Sequence, residues 1–118
     1  MEKTKWDLAS DPDTSTETLA GLSSDQDWMV RSAVAKNRST PKEVLRKLAR
    51  DREWTVRNNV ASNPDTPEDV LEQLSVDTDW LVRSNLARNS HLKLGTVEEL
   101  SEDKVYTVRK SAIESGRI

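Results

Sequence analysis

The chain has 118 residues and a formal charge of −3, with 34% apolar residues, 33% charged residues and no cysteine. Zero cysteines exclude disulfides, thiol catalysis, thiolate zinc sites and iron–sulfur ligation, while the acidic balance argues against bulk attraction to nucleic acid or an anionic membrane. No stretch approaches the roughly 18 consecutive apolar residues of a membrane span, and "MEKTKWDLASDPD" holds no apolar signal region, so the expectation is a soluble cytoplasmic protein.

In chain order, residues 1–24 read as a degenerate first unit. Leu8-Ala9 is in phase with Val34-Ala35, and Leu19 and Leu22 are in phase with the leucines of "STPKEVLRKL". Residues 25–50 predict two short helices. In the first, Val30, Val34 and Ala33 or Ala35 fall on one face; Asp25 or Asp27 can cap its start, and Asn37 suits a left-handed residue at its end. The second opens with Thr40 as N-cap, Pro41 at the first helical position and Glu43 completing a capping box, followed by the stripe Val44, Leu45, Leu48. Residues 51–76 repeat this plan, with Thr66, Pro67 and Asp69 at the second start. Residues 77–102 keep the first helix, but "NSHLKLGTVEELSED" replaces Thr-Pro with Leu92-Lys93. A later capping box from Thr96 and Glu99 predicts a shorter or re-registered helix there. Residues 103–118 hold a first helix alone, as a half repeat or cap, which leaves Val108, Ala112 and Ile113 without a second helix to cover them.

The units share a period of 26. Asp25, Asp51, Asp77 and Asp103 are in one phase, as are Trp28, Trp54, Trp80 and Tyr106, then Val30, Val56, Val82 and Val108, then Arg31, Arg57, Arg83 and Arg109. Asn37, Asn63 and Asn89 continue it. One such unit is too small to bury its own apolar stripe, whereas stacked neighbours share a continuous core, so a modest apolar fraction suffices. The fold class expected is all-α: a short α-solenoid of about four and a half two-helix repeats in a single domain over residues 1–118.

The pattern D-x-D/E-W-x-V-R-x-x-V/L-A-x-N-x-x-T-P-x-x-V-L-x-x-L-A/S-x-D, clearest from Asp25 to Arg50 and from Asp51 to Val76, closely resembles the leucine-rich repeat variant, a HEAT-like α-solenoid repeat. The resemblance covers nearly the whole chain and weakens at residues 1–10 and 90–100. It implies a right-handed superhelix in which each repeat pairs an α-helix with a short 3₁₀-helix. It also implies an interaction scaffold rather than an enzyme. The first-described member of the family bears an iron–sulfur cluster in a cysteine-bearing segment. No such segment exists here, so no cofactor is carried over.

Each ladder of equivalent residues has two readings. The Arg column could read phosphates or carboxylates, but the Asp column recurs in phase with it, and interleaved Asp–Arg pairs between units account for both as a structural ladder. The Trp column could grip a peptide or stack bases, or it could staple each helix start onto the preceding helix. Seven basic residues fall within 36–52, and six acidic residues fall within 65–79 with no basic one. Lateral stacking of the second helices would pair Lys42 with Glu68 and Arg46 with Glu72. The single histidine, His91, lies in the irregular loop without catalytic company, and the D-x-D pairs lack the further ligands of a calcium loop and read as caps. No catalytic, metal or cofactor site is expected.

The candidate partner surface is the Trp column (Trp28, Trp54, Trp80, Tyr106) with the variable positions Met29, Leu81, Asn58, Asn59 and Asn85. The expected partner is a protein or peptide. A nucleic-acid module using the Arg column, and self-association through the solenoid ends, are the alternatives.

Overall fold

A computed structural model describes residues 2–118. Among them are nine α-helices and no strand: α1 (Lys5–Ser10), α2 (Thr16–Leu22), α3 (Trp28–Lys36), α4 (Lys42–Leu48), α5 (Trp54–Ser62), α6 (Glu68–Leu74), α7 (Trp80–Leu86), α8 (Leu94–Leu100) and α9 (Tyr106–Glu114). The odd-numbered helices stack on one another in succession, and the even-numbered ones pack against the neighbours they connect. The result is elongated, 48 × 23 × 21 Å, with a radius of gyration of 14.5 Å. A compact globule of this length would have roughly 13.5 Å.

Helix α3 shows why these short segments fold only in company. Val30, Arg31, Val34 and Ala35 are buried on one face, while Trp28, Met29 and Lys36 are exposed on the other. That narrow stripe stabilises the helix only when neighbours cover it. Starts are capped where the sequence supplies a short acid. Asp27 accepts from the Met29 amide at 2.9 Å and Asp79 from the Leu81 amide at 2.9 Å, while Glu53 and Val105 make no side-chain cap bond. Val34, Leu45, Leu48, Val56, Val60, Leu71, Leu74, Val82 and Leu86 form one continuous core along the stack.

Several local expectations are overturned. Asn37 is extended (φ −71°, ψ 125°), and Gly116 alone has positive φ among the described residues. Asn37 instead sends its side chain across to the preceding unit, as described below. Thr40 and Thr66 do not cap α4 and α6. Their hydroxyls donate backward to the carbonyls of Val34 (2.6 Å) and Val60 (2.7 Å), and Thr14 does the same to Leu8 (2.6 Å). They satisfy the open carbonyl end of the preceding helix rather than the amide end of the next. Pro41 and Pro67 themselves take the N-cap positions, with no side-chain bond from Glu43 or Asp69.

The supposed irregularity at residues 90–100 is absent. Helix α8 has seven residues, as α4 and α6 do, and Lys93 adopts φ −59°, ψ 141°, close to Pro67 at φ −59°, ψ 148°. Leu92, 1% exposed, fills the buried place of Thr66, and Thr96 is buried instead of capping. Nor is any described helix 3₁₀. Shortened i→i+3 bonds are confined to helix ends, as where Arg50 donates to Lys47 O and Asp51 to Leu48 O, both at 3.1 Å. Finally, Val108 and Ala112 are completely buried because α9 turns that face onto α7 and α8; only Ile113 of the three is exposed.

Candidate functional site

Two polar ladders fix how one stacked helix meets the next. Arg31 Nε and Nη2 donate to the two carboxylate oxygens of Asp51 at 2.7 and 3.1 Å, while Nη1 donates to the Asp25 carbonyl at 2.8 Å. Arg57 grips Asp77 (2.9 and 3.3 Å), and Arg83 grips Asp103 (2.9 and 3.2 Å), in the same two-pronged way. Each aspartate also turns the chain locally, as where Asp51 accepts from the Glu53 amide at 3.0 Å. Lys5 occupies the first place, with Nζ 3.0 Å from Asp25. Arg109 donates to the Asp103 carbonyl at 2.8 Å and lies 5.7 Å from the Tyr106 ring centroid.

The electrostatics follow from this geometry. Burial pushes the Asp51 carboxyl up, but the Arg31 guanidinium and the Glu53 amide outweigh it and hold the group below the ordinary carboxylate value. Asp103 balances burial against Arg83 and the Val105 amide, with the same net direction. The bond from Asp51 raises Arg31 above its usual value. These guanidiniums are spent on their own carboxylates and buried with them, so they present no row of cations to phosphate.

The second ladder is of asparagines. Asn37 Nδ2 donates to the carbonyls of Ala9 and Asp11, both at 2.9 Å. Asn63 donates to Ala35 (2.9 Å) and Asn37 (3.3 Å), and Asn89 to Ala61 (2.8 Å) and Asn63 (3.4 Å). Each Oδ1 accepts from the amide two residues on. Every polar atom of these buried amides is satisfied. The ends of successive helices are thereby tied together, so the stacked helices run parallel.

The ion pairs on the outside use other partners than the register arithmetic suggests. Arg46 pairs with Asp69, and Glu68 and Glu72 both receive Lys93, at 3.3 and 2.9 Å. Arg38 pairs with Asp65 at 3.0 Å, and Lys42 makes no ion pair among the described residues.

What remains for a partner is the outward face of the stacked helices. Trp28, Trp54 and Trp80 keep 42%, 39% and 41% of their surface, and Tyr106 is more exposed still. Met29 is open and Leu81 half-buried. The asparagines of the candidate surface are less free. Asn59 donates to Ser32 O (3.0 Å) and Oγ (2.6 Å), and Asn85 donates to Asn58 Oδ1 (2.8 Å). With Ser84 and Ser111 (2.7 Å apart), they form a seam of polar pairs between residues 27 apart.

The same geometric pair at the next seam is Trp6 with Ala33, which cannot hydrogen-bond. There the face opens into a groove of about 530 Å³ lined by Trp6, Trp28, Met29 and Ala33, with Lys36 and Arg38 the cations among its lining residues. Sequence reasoning missed Trp6 as a site residue; it marked Ala33 only as a variable position in phase with Asn59 and Asn85, and Lys36 only as the start of a basic run. It compared positions 26 apart, where Trp6 falls with Ser32 outside the Trp column, whereas contact across this seam runs one residue further.

His91 is exposed, no cluster of potential metal-ligating side chains occurs among the described residues, and no described helix is long and apolar enough to cross a membrane. No curated protein and no solved structure matches the chain. The family model for the leucine rich repeat variant matches residues 54–79, which run through α5 and α6 to the cap of α7, so this stretch of the chain is similar to a repeat of that family.

Proposed function

We propose that the chain is a non-enzymatic repeat scaffold that binds a protein or peptide along the outward face of α1, α3, α5, α7 and α9. In this reading the 26-residue units stack as a right-handed superhelix, and the protein works in the cytoplasm. The observation that carries it is the exposed aromatic row of Trp28, Trp54 and Trp80, continued by Tyr106, each at the start of a stacked helix. Aromatic side chains are enriched among the residues that dominate binding interfaces. A nucleic-acid module loses support, because Arg31, Arg57 and Arg83 already hold Asp51, Asp77 and Asp103. Self-association through the last helix loses it too, since Val108 and Ala112 are buried within the chain.

The test is site-specific photocross-linking in nuclease-treated lysate. A benzophenone residue is placed at Thr55 or Leu81 on the outward face, or at Gln73 on a connecting helix. Protein adducts from Thr55 and Leu81, and none from Gln73, are the expected outcome. Equal labelling from all three, or adducts only with nucleic acid before nuclease treatment, would overturn the reading.

A further inference from the structure

We infer that the groove between α1 and α3 takes an acidic, amphipathic peptide segment: one with a bulky apolar side chain and a carboxylate about 12 Å further along. The inference rests on the scaffold reading and names its partner's chemistry and its place. Trp6 and Met29, 52% and 51% exposed, face solvent together with Trp28 at the starts of parallel helices. That is a concave apolar surface with none of the described residues lying over it. The groove is open at this seam and bounded on the α5 side by the Asn59–Ser32 hydrogen bond, which with Asn85–Asn58 at the following seam occupies the place that Trp6 and Ala33 leave unbridged here.

Charge supplies the second half of the argument. Within a chain of net charge −3, the charged residues lining this groove are Lys36 and Arg38, both cationic. Arg38 shares its charge with Asp65, whereas Lys36 has no carboxylate partner among the described residues. Trp28 opens α3 and Lys36 closes it, so a rise of 1.5 Å per residue sets them about 12 Å apart. An extended peptide advances about 3.3 Å per residue, which puts its anchor and its carboxylate three to four residues apart. A basic peptide with the same apolar anchor would meet Lys36 with like charge and be rejected.

The experiment pans a random-peptide phage library on the full-length chain, then measures selected synthetic peptides by isothermal titration calorimetry. Met29→Glu and Lys36→Glu are the groove variants, and Gln73→Ala on α6 lies outside the binding face; circular dichroism verifies folding, and Met29 and Lys36 are exposed enough that both groove variants retain the core. Enriched peptides should carry an apolar residue followed at that spacing by Asp or Glu. Met29→Glu should weaken them about tenfold or more, as removal of a buried apolar anchor does. Lys36→Glu should weaken acidic peptides and strengthen partners in which the acid is replaced by Lys, and Gln73→Ala should leave both unchanged. Binders insensitive to Met29→Glu and Lys36→Glu would overturn the groove assignment while leaving the scaffold standing. A library that yields no binder also overturns the groove, and the cross-linking at Thr55 and Leu81 then judges the scaffold separately.

Discussion

The α1–α3 seam and the α5–α7 seam are built on one plan and differ in two side-chain choices. At α5–α7, Arg57 forks onto Asp77 with a side chain only 15% exposed, and Asn85 bonds Asn58 across the outer face. At α1–α3, a lysine that is 69% exposed makes a single contact with Asp25, and Trp6 faces Ala33. The buried asparagine ties the helix ends at both, through Asn89 at one seam and Asn37 at the other. Adhesion between units therefore resides in the buried face and the helix ends. The outer pair is free to be a closed seam or an opening.

Breaking a rung separates the two seams most sharply. Arg57→Ala leaves Asp77 nearly buried without its partner and should cost about 3 kcal/mol or more by chemical denaturation. Lys5→Ala should cost at most about 1 kcal/mol, as exposed ion pairs do. Equal losses would mean that the rungs are not what distinguishes the seams.

Removing the common tie should cost the two seams alike. Asn37→Ala strips the donor from the Ala9 and Asp11 carbonyls, Asn89→Ala strips it from the Ala61 and Asn63 carbonyls, and each should destabilise by about 1–3 kcal/mol. A loss of a few tenths would show that water replaces the amide.

Acid should weaken the Arg31–Asp51 and Arg83–Asp103 rungs. Asp51 and Asp103 have folded-state pKa values below their unfolded ones, so their contribution is present above about pH 4 and is lost as pH falls through the depressed folded values. Urea midpoints measured from neutral pH downward should decline in that window, and less so in Arg31→Met, where the Asp51 contribution is already gone. A parallel decline in both would remove this rung from the account.

The smallest stability effect is expected where the largest functional one lies. Trp6→Ser with Ala33→Asn rewrites the open seam as a closed one and should change stability by no more than about 0.5 kcal/mol. The same double variant should stop binding the selected peptides. Retained binding would show that the outer pair does not govern the opening.

Much of this was legible in residue spacing. Val30, Val34, Leu45 and Leu48 announce the core, and the phased Asp and Arg columns announce a pairing, because both patterns repeat at fixed intervals. Less visible was what each polar residue does with its hydrogen bonds. Thr40 and Asn37 carry the composition of helix caps, yet both serve neighbouring carbonyls, since burial between units makes those carbonyls the costlier groups to leave unpaired. Lys93 and Leu92 look like a break, but stacking on α9 and the core holds the backbone in the geometry that Pro67 has elsewhere. The groove was hidden because it depends on Trp6, which lies outside the Trp column, facing Ala33, whose departure from Asn59 and Asn85 in its column gave no sign of that partner.

The exposed lysine contact at the start of α1 has a kinetic meaning. Neighbour-only contacts let a stack of units open piecewise, and α1, joined to α3 by Asn37 at its end and only by the exposed Lys5 ammonium at its start, exchanges its amide hydrogens sooner than α5, which has a stacked helix on both sides. Since α1 also supplies Trp6, a bound segment would act as a clasp in its own right, so slowed deuterium uptake in α1 becomes a direct readout of an occupied groove.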